Sequence, residues 1–73
     1  MASGIGNAAE AIALAKGFAA TIFGIFSTMT PTSTRRLPKG EWKVILQVSS
    51  LYGNETCRVR LDSEGQVIEF ERT

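Results

Sequence analysis

Charge is divided so unevenly along this chain that the division limits the architectures open to it more than any motif does. Residues 1–34 carry only Glu10 and Lys16. Residues 35–73 carry the other thirteen charges: Arg35, Arg36, Lys39, Lys43, Arg58, Arg60 and Arg72 against Glu41, Glu55, Asp62, Glu64, Glu69 and Glu71. A half with two charges lacks an ordinary solvated face, so something must cover it. At 73 residues there is room for one small domain, near the size at which burial barely exceeds chain entropy. The usual staples are missing. Cys57 is the one cysteine, and without histidine there is no ordinary zinc set. The lack of His also removes the commonest general base, and a net charge of +1 gives no global footprint for nucleic acid. No enzyme, no cofactor, no metal site and no nucleic-acid partner is expected.

The first half reads as one apolar helix, from about Asn7 to about Met29. Asn7 is a candidate N-cap, and Glu10 three residues on can reach back to an exposed amide. Seven alanines between Ala8 and Ala20 favour helix, and Pro31 lies just past its end. Ile12, Phe18, Ile22, Ile25, Phe26 and Met29 recur at helical spacing and form the expected contact face, widened by Leu14 and Phe23. The other side is small: Ala13, Gly17, Ala20 and Gly24 leave room for a second helix. Ala11–Met29 is close to the roughly 20 residues a membrane span needs. Three readings stay open: a helix in or on a membrane, a helix buried on a partner protein, and a core helix on its own sheet. A cleaved signal peptide is not expected, because no basic segment precedes the apolar run.

Residues 30–40, with Pro31, Pro38 and a closing Gly40, read as a linker. Residues 41–73 read as a three-stranded antiparallel β-meander. Trp42, Val44, Leu46 and Val48 alternate onto one face, then Cys57, Val59 and Leu61, with Arg58 and Arg60 outward. Leu51–Glu55 reads as a turn-rich connection. Asp62-Ser63-Glu64-Gly65 has the chemistry of a type I turn closed by a left-handed glycine. A register that sets Val59 opposite Ile68 and Cys57 opposite Phe70 also sets Arg58 opposite Glu69, so apolar and charged pairs agree. The fold class expected is therefore α+β: helix, linker, three strands.

Few residues point to chemistry. Glu69 and Glu71 fall on the outer face of a strand opposite arginines, the pattern of a solvated salt-bridged surface. Cys57 has no histidine to activate it and sits in the inward alternation, as a small hydrophobe does. Asn54-Glu55-Thr56 matches a short glycosylation sequon, and Gly4-Ile5-Gly6 has no third glycine for a phosphate loop. Arg35, Arg36 and Lys39 follow the apolar helix closely. That placement suits either a cytoplasmic juxtamembrane cluster or a plain soluble linker.

Gly40-Glu41-Trp42-Lys43-Val44 with Gln47-Val48, then Arg58-Val59-Arg60-Leu61-Asp62 and Gly65-Gln66-Val67, resembles the C-terminal region of gas vesicle accessory protein O. It is also similar to one PepSY-type helix-plus-sheet unit. The resemblance implies a small accessory protein without catalytic residues. Leu14-Ala15-Lys16-Gly17-Phe18 with Thr21 and Thr30-Pro31 resembles the membrane-surface helix of the two-cluster iron–sulfur subunit of respiratory complex I. The cluster cysteines are missing, so that likeness implies only a helix lying against a membrane assembly.

The expected function is that of a non-enzymatic accessory subunit that docks on and stabilises a larger, membrane-associated protein complex. Its docking residues would be Ile12, Phe18, Ile22, Ile25, Phe26 and Met29, with Arg35, Arg36 and Lys39 at the interface. Such a chain has a protein complex and membrane lipid as partners, is not a stable isolated monomer, and keeps its meander on the cytoplasmic side. The alternative is a soluble gas-vesicle-type accessory protein with the helix packed on its own sheet.

Overall fold

A computed structural model describes residues 6–24, 26–51 and 53–72. Helix α1 (Ala8–Phe23) is followed by strand β1 (Thr28–Arg36), a short 3-10 turn (Pro38–Gly40), β2 (Trp42–Ser50), β3 (Gly53–Leu61) and β4 (Val67–Arg72). The class is α+β, and the strands form one antiparallel sheet in the order β1-β2-β3-β4. The helix lies on one face of that sheet, and among the described residues nothing covers the other.

Local chemistry sets the helix ends. The Asn7 side chain accepts from the Glu10 N–H at 2.9 Å, and the Glu10 carboxylate accepts from the Gly6 N–H. At the other end Gly24 takes φ 94°, a conformation that side chains with a Cβ rarely adopt, while its N–H still donates to Ala20 O. The helix therefore stops at Phe23, not Met29. At 16 residues it is about 24 Å long, and no helix among the described residues is long and apolar enough to cross a membrane.

The expected linker is largely a fourth strand. β1 runs antiparallel to β2, from Thr28 opposite Ser49 to Arg36 opposite Trp42. Its threonines suit a pleated strand, and Pro31 is tolerated because β1 is an edge strand. A bulge falls between Pro31 and Ser33, where the Thr32 hydroxyl donates to Ile45 O at 3.3 Å. What remains of the linker is a tight connection closed by Leu37 N–H donating to Glu41 O at 2.7 Å.

The core follows the predicted alternation of β2 and β3: Trp42, Val44, Leu46, Val48, Cys57, Val59 and Leu61 are all buried. What meets them from the helix differs from the expected face. Ala11, Ala15 and Ala19, four residues apart, are fully buried, whereas Ile22 is 41% exposed and Leu14 44%. The alanine stripe lets the helix axis lie close to the sheet, and larger side chains close the flanks. Ile12, Phe23 and Met29 pack at the margin of the core, and Phe18 meets Phe70 edge to face at 5.2 Å between ring centroids.

The β3–β4 turn forms as read. Asp62 Oδ1 accepts from Glu64 and Gln66 N–H at 2.9 Å each, and Gly65 takes φ 91°. The register beyond it is corrected. Leu61 opposes Val67, Arg60 opposes Glu69, and Val59 opposes Phe70, so the irregularity takes up Ile68. Ile68 is 46% exposed and Val67 packs on the core in its place. Cys57 then opposes Arg72, not Phe70, and Arg58 opposes Glu71, not Glu69.

Candidate docking surface

The fold divides the molecule into two unlike ends. α1 finishes, β1 begins, and β2 turns into β3 at one end; β1 finishes, β2 begins, and the 62–65 turn lies at the other. Residues 17–34 and 44–54 carry no charge, and the turns at the first end are drawn from these two stretches. The charge division seen along the sequence thus becomes a division along an elongated body 39 Å in its longest extent.

Two large apolar side chains project from the neutral end. Phe26, in the turn after α1, is 86% exposed, and Leu51, in the β2–β3 turn, is 91% exposed. They share a groove of about 170 Å³ with Phe23, Gly24, Ser27 and Ser50. Two hydroxyls here bond nearby backbone: Ser27 donates to Gly24 O at 2.7 Å and Ser50 to Gly53 O at 3.4 Å. Lys16 lines a neighbouring depression with Ala20, Gly24, Ser27, Thr28 and Met29, so a cation borders the apolar end on the helix side. On the β4 side Arg72 lies over the Phe23 ring at 4.7 Å and is held by the Glu55 carboxylate at 2.9 Å. That guanidinium holds the Glu55 carboxyl below its ordinary range.

The six residues expected to form one contact face are distributed differently. Ile12, Phe18 and Met29 are half-buried in the chain's own fold, Ile22 is part exposed on α1, and Phe26 stands out at the tip. Ile25 lies outside the described residues. Leu51 was not foreseen, being read as a turn residue; its signal was a large aliphatic side chain where a turn favours small polar ones. The cations Arg35, Arg36 and Lys39 lie at the far end, eight strand steps or about 27 Å from the apolar turns. They therefore do not flank the exposed apolar side chains, as a juxtamembrane cluster would.

The uncovered sheet face is charged. Arg35, Lys43 and Arg60 stand in one cross-strand row that ends at Glu69. Arg60 pairs with Glu69 at 3.1 Å and Glu41 at 3.5 Å, and Arg58 pairs with Glu71. The two carboxylates are thus engaged by arginines on an exposed face. Burial, with the Glu55 charge as a second cause, pushes the Cys57 thiol up, so it is a poor nucleophile at neutral pH.

No family model matches this chain, and neither a curated protein nor a solved structure matches it.

Proposed function

We propose that this protein is a non-enzymatic accessory subunit that docks on and stabilises a larger, membrane-associated protein complex, and that its neutral end is the docking element. The observation that carries this reading is the pair Phe26 and Leu51, 86% and 91% exposed, presented from two separate turns onto one groove. Neither side chain adds to the chain's own core, and two exposed apolar groups on facing turns gain free energy only when another surface covers them. The helix itself is engaged by the sheet through Ala11, Ala15 and Ala19, so attachment through a free helix is replaced by attachment through its C-terminal turn.

That same helix–sheet packing favours a second reading, a soluble accessory protein of gas-vesicle type. Fractionation of source cells separates the two. The full chain should run in the membrane pool as part of a species much larger than 7.9 kDa, and Phe26→Ser with Leu51→Ser should release it as a free subunit. A full chain found in the soluble pool, whether alone or in a complex, refutes membrane association. A distribution unchanged by the double substitution refutes docking through this end.

A further inference from the structure

We infer that the outer sheet face at the charged end, with the β1–β2 connection beside it, receives an acidic segment of a partner protein on Arg35, Lys39 and Lys43. This goes beyond the docking reading above and uses none of its residues.

The charge left over after internal pairing is mostly positive. Glu41 and Glu69 hold Arg60, Glu71 holds Arg58 and Glu55 holds Arg72, while Glu10 and Asp62 accept backbone N–H groups. Among the described residues, Glu64 is the acidic side chain without such a partner. The cations without an ion pair are Lys16 on the helix and, gathered at the charged end, Arg35, Arg36, Lys39 and Lys43. Lys43 stands opposite Arg35 on one side and Arg60 on the other. At the spacing of neighbouring strands these three cations fall within about 10 Å, and like charges directly opposite one another destabilise a sheet. Lys39 takes φ 69° and ψ 17°, a left-handed conformation that costs a residue with a Cβ. Repulsion and strain thus coincide with the unpaired cations, and an anion laid over them offsets the repulsion. A cavity of about 270 Å³ lined by Leu37, Lys43, Arg58, Arg60 and Glu69 opens on this face, and Ile45 lines the next depression with Arg58. Leu37 and Ile45 give apolar contact between the charges, which suits a chain that mixes carboxylates with aliphatic side chains. Such a chain can set an aliphatic residue opposite Glu69 or Glu71, whereas a nucleic acid carries a phosphate at every step. Nor does this face offer an aromatic ring for a base: Trp42 is buried in the core and Phe70 meets Phe18 on the helix side.

Fluorescence anisotropy of a labelled peptide of repeating Glu-Asp-Leu, titrated with the full chain, tests this. The acidic peptide should bind and be released as salt rises, and a Gln-Asn-Leu peptide should not bind. Arg35→Gln with Lys43→Gln should weaken binding about tenfold without lowering the Tm, because the opposed cations are gone. Lys39→Gly should weaken binding and raise the Tm, whereas Lys43→Arg should keep binding. A lower Tm in the paired Gln variant makes the cation row structural and overturns the inference. So does equal binding of the neutral peptide, or acidic-peptide binding that the paired variant leaves unchanged. Tighter binding of polyuridylate or of phosphatidylserine vesicles than of the acidic peptide overturns the choice of a protein. Release from the complex by the Phe26 and Leu51 substitutions reads the opposite end, so each surface can fail while the other stands.

Discussion

The seam between helix and sheet is decided by replacing Ala15 with leucine. Ala15 is fully buried at the centre of a stripe whose flanking members, Ala11 and Ala19, are also fully buried. Leucine adds three carbons where the facing layer contains closed, fully buried side chains such as Leu46, Leu61 and Val59, so helix or sheet must give way. Overpacking of this kind costs about 1–3 kcal/mol. A 73-residue domain has a total stability of about 4–11 kcal/mol, so the loss is a large fraction of it. At about 4–8 °C per kcal/mol, a loss near 2 kcal/mol lowers the Tm by about 8–16 °C. The assay is thermal and urea unfolding followed at 222 nm, with exposed Ala13→Leu as the control for helix propensity, expected within about 0.5 kcal/mol of wild type. Ile22→Ala completes the set: at 41% exposure it should cost well under the 2–5 kcal/mol of a core truncation. If Ala15→Leu is neutral and Ile22→Ala is severe, the helix presents the large apolar face to the sheet and the alanine seam is wrong.

Other expectations follow from the register, the thiol and the helix cap. Phe70→Ala should destabilise by about 3–5 kcal/mol or leave the chain unfolded, and Ile68→Ala by about 1 kcal/mol or less. The reverse ranking in urea titrations would restore the register that pairs Val59 with Ile68. Because the Cys57 thiol is pushed up in the folded state, the native protein holds that proton better than the unfolded chain does. Its contribution to stability is complete below the ordinary thiol range near about pH 8.5 and is lost as pH rises through the raised folded value. Stability measured from pH 7 to 10 should therefore fall less steeply in Cys57→Ala than in wild type; parallel curves would contradict burial as the cause. Asn7→Ala should cost about 1 kcal/mol in the same melts, because the Glu10 amide loses its acceptor; no change would mean that the cap contributes nothing.

The parts of the fold legible in sequence are those where a single short-range rule acts unopposed. Alternation in β2 and β3 reports which side chains are buried, because a strand has one period and the sheet one covered face. The Asp62–Gly65 turn and the Asn7 cap are read from side chains that bond their own backbone. β1 was obscured by proline and by serine and threonine, which occur in linkers and edge strands alike; only pairing with β2 makes the difference. The helix end at Gly24 was open to reading, since a glycine after a periodic run is a stop signal, but the apolar pattern continued past it to Met29. The buried face is hidden in the sequence because alanine serves helix propensity and a close interface alike, while the bulky residues lie on the flank. The register slipped because a bulge at Ile68 is invisible to a rule that assumes strict alternation. At the candidate site, periodicity points to Phe26, whereas Leu51 enters only once two turns distant in sequence are brought to one end.

The order β1-β2-β3-β4 also has a temporal consequence. Each strand's neighbour in the sheet is its neighbour along the chain, so every strand pairing closes a short loop at small entropic cost. β2–β3 and β3–β4 can zip in sequence within microseconds of collapse, whereas α1 must return across three strands before its alanines engage. The sheet therefore exists for an interval with Val44, Leu46, Val59 and Leu61 bare on one side. Docking of α1 ends that interval, and its rate, set against the concentration of other bare sheets, decides how much newly made protein reaches the native state and how much aggregates.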